Sequence, residues 1–170
     1  MIIERKKISP KELLLFFPKS LPIIGSFYAT SANIPDLDII KNICATNLAQ
    51  TILLTSDFAY IEATSDKSLD DLEAITIAEI DDFYTSQTAL LHASNENVIE
   101  KITIILKTIV APFLQRDGGD IKLDNYQNQT VTVQFLGKCH GCPYAKITLK
   151  ERVEKNLIRY LPEIKEVVLK

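Results

Sequence analysis

Cys139, His140, Gly141 and Cys142 form a Cys-x-x-Cys motif. Of all the stretches of this chain, its side chains are the most clearly suited to metal binding or redox chemistry. Two thiolates at this spacing can hold one soft metal ion, or two irons of one cluster, without straining the backbone. They can also close into a redox-active disulfide. The only other cysteine is Cys44, far upstream. The chain therefore offers two convergent thiolates where a complete soft-metal site needs four.

The residues around this loop favour a reactive thiol site. Gly141 lets the chain turn sharply beside bulky sulfur ligands. Pro143 is suited to the first position of a helix, which predicts Cys142 as the N-cap residue. Helical N–H groups and the positive end of the helix dipole would then lower the pKa of the thiols. Lys138 and Lys146 place two positive charges nearby in the sequence.

Three uses of the thiol pair remain open from the residues alone. A dithiol oxidoreductase usually carries such a pair after a β-α-β pattern, whereas a predicted β-hairpin precedes it here. A structural zinc ion needs two further ligands, but neighbouring side chains in the loop point apart, which disfavours His140, and His92 lies in a predicted linker. In the third use, two copies of the chain complete the ligand set and hold one cluster between them.

The second half of the chain has a clear pattern of apolar residues. Asn95 is suited to cap a helix whose apolar stripe runs from Val98 to Phe113, and Pro112 must distort its last turn. The pair Gly118-Gly119 is suited to end that helix. Two strands, a second helix and a last strand are predicted at Asp120–Tyr126, Thr130–Leu136, Pro143–Tyr160 and Ile164–Leu169. The order α-β-β-α-β predicts a small sheet with helices packed on one face.

The first half of the chain mixes short strands with two helical stretches. Strands are predicted at Ile2–Ile8, Glu12–Phe17, Ile24–Thr30, Thr51–Leu54 and Phe58–Ala63, and helices at Asp36–Ala45 and Leu69–Tyr84. Small and polar residues then separate the two halves. We therefore predict an α+β protein of two small domains, at residues 1–88 and 96–170, joined by a linker at residues 89–95.

Several stretches of the sequence resemble a known protein family. The stretches Pro112–Ile121, Leu136–Pro143 and Ile147–Lys150 are similar to the C-terminal domain of Nfu/NifU-type iron–sulfur scaffold proteins. The first half is similar, more loosely, to the N-terminal domain of Nfu proteins. The matching pieces there are Phe16-Phe17-Pro18 and Ser56-Asp57-Phe58. This resemblance implies a two-domain chain with its cluster site in the second domain.

The resemblance also implies a function, that of an iron–sulfur cluster scaffold or carrier and not of an enzyme. Such proteins hold a [4Fe–4S] cluster, with [2Fe–2S] as the alternative, between the two subunits of a homodimer. They obtain it from a donor scaffold and pass it to apo iron–sulfur proteins. The resemblance implies that Cys139 and Cys142 are the cluster ligands, and that the motif Asp117–Asp120 supports the turn without ligating iron.

Composition excludes several other classes of protein. The chain has 170 residues, of which 46% are hydrophobic and 24% charged, which is enough for a folded core. No apolar stretch approaches the ~20 residues of a membrane span. The small excess of basic residues in 96–170 comes without stacking aromatics, which argues against nucleic-acid binding. We therefore expect neither a membrane nor a nucleic acid among the partners.

The cysteines and the first residues predict the compartment. Three cysteines, an odd number, favour reduced thiols over a disulfide framework. Cys44 lies on an apolar helical stripe and is expected to pack in a core. The charged start without an arginine-rich segment predicts a bacterial cytoplasm, with the mitochondrial matrix as the alternative.

Overall fold

The computed structural model describes residues 3–86, 89–94 and 96–170. Ile2, within the first predicted strand, and Asn95, the predicted helix cap, lie outside the described residues. Helices and strands are both abundant, and antiparallel strand pairs predominate over parallel ones, so the predicted α+β class is confirmed.

The chain divides into two compact units, Met1–Ser94 and Asn95–Lys170. The strands of the first unit are β1 Glu4–Lys7, β2 Glu12–Phe16, β3 Ile23–Ile24, β4 Ser26–Thr30, β5 Ala49–Thr55, β6 Phe58–Ala63 and β7 Leu91–His92. Short β7 lies within the segment predicted as a linker, residues 89–95, and pairs in parallel with β3. The domain boundaries at 1–88 and 96–170 stay a prediction.

Five strands of the first unit form an antiparallel sheet in the order β1-β2-β6-β5-β4. The three consecutive leucines of β2, Leu13–Leu15, are all buried, so side chains on both faces of this strand are shielded from solvent. Gly25 has a φ of +84° and separates β3 from β4. The strand predicted at Ile24–Thr30 is therefore interrupted at its second residue.

Two helices complete the first unit, α1 Asp38–Ala45 and α2 Leu69–Ser86, the latter preceded by a 3₁₀ turn at Asp66–Ser68. Helix α2 buries residues spaced three or four apart, which is the pattern of a helix lying on a sheet. These are Leu69, Leu72, Thr76, Ile80 and Phe83. The four apolar ones join apolar residues of α1 and the sheet in one core.

The second unit begins with a continuous helical segment that contains a π turn. It consists of α3 Val98–Ile105, the π turn Leu106–Val110 (π1) and α4 Ala111–Arg116. The N–H of Ala111 donates to the carbonyl of Leu106, five residues back, as in a π-helix. Proline has no N–H and crowds the carbonyl four residues before it, so Pro112 is a physical reason for the wider turn just ahead of it.

The π turn changes which side chains of this segment face the core. Before it, Ile102 and Ile105 are buried as predicted, but from its last residue onward the buried positions are Val110, Ala111 and Leu114. The predicted stripe placed Phe113 in the core, and that prediction is wrong because the wider turn shifts the buried face by one position. The Phe113 side chain is instead 44% exposed.

A three-stranded sheet follows, made of β8 Gly119–Gln127, β9 Thr130–Gly137 and β10 Glu166–Leu169, in the order β10-β9-β8. Strands β8 and β9 form an antiparallel hairpin, whereas β10 runs parallel to β9. Alternate residues of central β9 face the core, as the sequence pattern predicts. These are Val131, Val133 and Phe135.

The last helical segment joins β9 to β10. It consists of α5 Ala145–Thr148, a second π turn at Leu149–Glu154 (π2) and α6 Lys155–Tyr160. It packs through Leu149, Val153 and Leu157, which are buried as predicted. The order of elements in this unit is therefore helical segment, β8, β9, helical segment, β10. None of the helices in the described ranges combines the length and apolar character needed to cross a bilayer.

Candidate thiol site

The end of the β8–β9 hairpin holds the cysteine loop. Gly119 at the start of β8 pairs with Gly137 at the end of β9, and the N–H of Lys138 donates to the carbonyl of Gly118 at 3.1 Å. The loop then closes on itself, because the N–H of Cys142 donates to the carbonyl of Cys139 at 3.4 Å. Both cysteines are thus carried by a tight turn anchored to the sheet.

Gly119 leaves the space that the Cys139 side chain occupies. A Cβ atom on Gly119 would lie 2.0 Å from the Sγ atom of Cys139, far inside van der Waals contact. Gly137 has a φ of +59°, and a Cβ atom there would lie 2.5 Å from the carbonyl oxygen of Gly118. The glycine pair at the helix exit is therefore packed directly against the thiol loop, a contact that sequence reasoning missed.

The helix after the loop starts later than predicted. Its first residue is Ala145 and its N-cap is Tyr144, so the prediction of Cys142 as N-cap, with Pro143 as first helical residue, is wrong. Pro143 and Tyr144 instead complete a turn, in which the N–H of Ala145 donates to the carbonyl of Cys142 at 3.0 Å. The loop needs these extra residues to turn before the helix can begin.

The predicted lowering of the thiol pKa is also wrong for Cys139. Partial burial raises the pKa of this thiol, and the negative charges of Cys142, Asp117 and Asp120 raise it further. The two acidic residues flank the glycine pair at the helix exit and so lie close to the loop in space. The Cys139 thiol is thus a better ligand for a cation that offsets this negative charge than a free nucleophile.

Both cysteines open into one cavity of about 550 Å³. Its walls come from the end of the first helical segment, the thiol loop and the second helical segment. The lining residues are Phe113, Leu114, Arg116, Asp117, Lys138, Cys139, Cys142, Tyr144, Thr148 and Arg152. The structure therefore brings Cys139 and Cys142, the two predicted site residues, to one shared opening.

The positive charges at this cavity are only partly those that the sequence suggested. Lys138 lines it, but Lys146 lines a separate groove beside β10. Two arginines take part instead: Arg116 and Arg152 each hold the guanidinium carbon 5.4 Å from the centre of the Phe113 ring. Neither arginine could be assigned from the sequence, because the π turn decides where Phe113 points.

Comparison with known proteins identifies this part of the chain, since residues 102–168 match the NifU-like domain family. The chain carries a NifU-like domain. Both cysteines of the loop, the glycine pair and the cavity lie within the matched residues. The resemblance to Nfu/NifU proteins that the sequence motifs predicted is confirmed.

Curated relatives extend the similarity beyond the NifU-like domain. NifU-like protein 5, mitochondrial, of Arabidopsis thaliana is 28% identical over 184 aligned positions, which cover 98% of this chain and 67% of the relative. NifU-like protein 4, mitochondrial, of the same plant is 28% identical, with 98% and 65% covered. The NFU1 iron-sulfur cluster scaffold homolog, mitochondrial, of Drosophila persimilis is 30% identical over 129 positions, with 69% and 46% covered. The chain thus spans about two thirds of the plant relatives and less than half of the insect one.

The remaining candidate ligands are not among the residues that line the thiol cavity. His140 is exposed and is not among the cavity residues, and His92 belongs to β7 in the first unit. Cys44 packs partly buried against the core of the first unit, and this burial raises the pKa of its thiol. Within the described ranges, no group of three or more His, Cys, Asp or Glu side chains is arranged to hold a metal ion.

Proposed function

We propose that this chain is an iron–sulfur cluster scaffold or carrier and not an enzyme. The match to the NifU-like family and the insect relative's name, iron-sulfur cluster scaffold homolog, support this assignment. The observation that carries it is the pair Cys139 and Cys142, set on a glycine-packed turn and open to one cavity. Two thiolates on an accessible loop are suited to soft iron that must be bound and later released.

The two cysteines would serve as the cluster ligands in each chain. A [4Fe–4S] or [2Fe–2S] cluster takes about four cysteine thiolates, and the NifU-like domain contains only Cys139 and Cys142. Two copies of the chain would together supply the full set, which gives a homodimer with the cluster at its interface. We assign the [4Fe–4S] form as the cargo, and [2Fe–2S] as the alternative that reconstitution distinguishes.

The cluster can be transferred because one chain does not enclose it completely. The cavity is open and each chain holds only half of the ligands, so separating the subunits exposes the cluster to new thiolates. An apo iron–sulfur protein whose own cysteines form a closed, buried site would bind the cluster more tightly and take it. A donor scaffold would load the site by the reverse route. The partners are therefore a donor scaffold, recipient apo-proteins and a second copy of the chain.

The proposed compartment is one that keeps thiols reduced. The plant and insect relatives are named as mitochondrial proteins, which favours the mitochondrial matrix over the bacterial cytoplasm expected from the first residues. A tagged full-length chain expressed in its own cells and localised by fractionation distinguishes the two compartments.

Anaerobic reconstitution with iron and sulfide tests the proposed function. A scaffold gains about four irons and four sulfides per pair of chains, with the absorption of a [4Fe–4S] cluster. A dithiol oxidoreductase gains none and shows a defined disulfide reduction potential. A zinc-binding interaction protein purifies colourless with tightly held metal. Either of the last two results overturns the proposal.

A further inference from the structure

The Phe113 ring lies close to two arginines that line the thiol cavity. Arg116 ends α4 and Arg152 lies in π2, yet each guanidinium carbon is 5.4 Å from the centre of the same ring. A guanidinium at this distance is attracted to the face of an aromatic ring. All three side chains line the cavity into which Cys139 and Cys142 open. The ring thus gathers two like charges at one wall of the thiol cavity.

Among the described residues, these two charges have no acidic partner. In the part of the chain that the structure describes, neither Arg116 nor Arg152 forms an ion pair with a carboxylate, and both residues are exposed. Lys138 adds a third positive charge to the same cavity, and Asp117 is the single acidic residue among its lining residues. Apart from the thiols, the lining therefore carries three positive charges and one negative charge, although Asp117 and Asp120 act on the Cys139 thiol itself and raise its pKa.

The cargo of such a cavity has the opposite sign. Four thiolates carry more negative charge than an iron–sulfur core carries positive charge, so a thiolate-ligated cluster is an anion. Removing such an anion from water has a free-energy cost, which nearby cations offset. Arginine suits this role because its guanidinium is weakly hydrated, stays charged and stacks on an aromatic ring.

We propose that Arg116 and Arg152, arranged by Phe113 and joined by Lys138, form an anion-binding wall that retains the thiolate-ligated cluster in the cavity. This inference rests on the proposed function and adds residues that bind the cargo through its charge rather than through iron. The two π turns contribute to this wall, because π1 turns Phe113 out of the core and π2 contains Arg152.

The apo protein offers a direct test of the wall. A thiolate attacks the CH2 carbon of iodoacetate, which is an anion, or of iodoacetamide, which is neutral; in both cases a thioether forms and iodide leaves. The ratio of their rates at Cys139 and Cys142, read by mass spectrometry, cancels the thiolate fraction and reports the local electrostatic potential. The substitutions R116Q and R152Q should each lower this ratio roughly two- to fivefold, the range of one charge interaction at an exposed site. Added salt should lower the wild-type ratio as well.

Matched controls separate charge from structure. K165Q removes one positive charge from the exposed Lys165, whose N–H bonds to the carbonyl of Gln129 at the far end of the hairpin, and should leave the ratio unchanged. R116K and R152K keep the charge and should keep most of the ratio. Far-UV circular dichroism of each variant checks the fold. If R116Q and R152Q both show the same ratio of alkylation rates as K165Q, the two arginines do not form an anion-binding wall.

Retention of the cluster tests the role of the wall. After reconstitution of the full chain, R116Q and R152Q should lose cluster absorbance to a chelator roughly two- to fivefold faster than wild type and K165Q. Normal loading with equal loss rates in all four proteins overturns the wall and leaves the scaffold proposal standing. A wild-type chain that loads no cluster overturns both, even where the alkylation ratio depends on the arginines.

Discussion

Gly119 and Cys139 share one space: a Cβ atom on the glycine would lie 2.0 Å from the sulfur of the cysteine. The first residue of β8 therefore limits where the thiol can be, although 20 positions separate the two residues in the sequence. This contact links the glycine pair at the helix exit to the chemistry of the loop.

The substitution G119A should displace the Cys139 loop. The added methyl group overlaps the sulfur, so either the loop or β8 must move, at a cost of about 1–3 kcal/mol in the free energy of unfolding. Cluster loading should fall with it, because the two thiols no longer converge. Urea unfolding and iron analysis after reconstitution measure the two effects.

G141A is the matched control for that substitution. Gly141 has a φ of +73°, but a Cβ atom there would meet no other atom within 4 Å, so alanine introduces backbone strain without overlap. It should cost about 1 kcal/mol and retain most of the loading. If G119A loads cluster as fully as wild type, Gly119 does not position the thiol.

The loop cysteines and Cys44 should respond differently to substitution. C139S and C142S should each abolish cluster retention while the far-UV circular dichroism of the apo protein stays unchanged, because neither side chain belongs to a core. C44S should load a full cluster, since Cys44 packs on the core of the first unit. A normal iron load in C139S or C142S contradicts the ligand assignment.

Glu154 should make the stability of the second unit depend on pH. Burial raises the pKa of Glu154, but hydrogen bonds from Lys150 and the N–H of Val167, together with the charge of Lys150, outweigh it, and the net pKa lies below the ordinary value. A carboxyl whose pKa is lower in the folded state stabilises the fold above its unfolded pKa of about 4.3. That stabilisation is lost as the pH falls through the lower folded value.

The substitution E154Q isolates this contribution. It should lower the free energy of unfolding at pH 7 by about 1 kcal/mol, because the neutral amide loses the ion pair with Lys150 and accepts the N–H of Val167 less strongly than a carboxylate does. The difference from wild type should disappear in urea titrations at acidic pH. E151Q, which removes only the exposed ion pair between Glu151 and Lys155, should have little effect at either pH. Equal losses in both variants would contradict the role of Glu154.

The second unit should fold and load cluster without the first. It has its own buried core, drawn from both helical segments and the sheet, with members Ile102, Leu106, Val133, Val153 and Leu157. A chain of residues 96–170 should unfold cooperatively on heating and take up as much cluster per chain as the full-length protein. Uncooperative melting, or loss of loading, contradicts the proposed division at the 89–95 segment.

Local sequence pattern was sufficient for most of the second unit's elements. The alternation of Val131, Val133 and Phe135 predicted β9, and Gly118, with a φ of +78°, accounts for the end of the first helical segment. The thiol pair could also be predicted from the sequence, because Cys139 and Cys142 are three positions apart. Each of these features depends on residues that are close in sequence.

Features that depend on distant residues or on unusual helical turns could not be predicted. Pro112 indicated a distorted turn, but nothing in the sequence indicated that the turn would widen and rotate Phe113 outward. The approach of both Arg116 and Arg152 to that ring follows only from the fold. Likewise, Pro143 suggested a helix start, but closing the thiol turn delays the helix to Ala145.

Native mass spectrometry of the reconstituted protein shows directly whether two chains share one cluster. We expect the cluster-bearing species to contain two chains and one cluster, and C139S or C142S to remove this species. The ligand count requires this, because each NifU-like domain contributes only two thiolates. A stable single chain that holds a complete cluster with its own residues would show that the cluster is not shared between two chains.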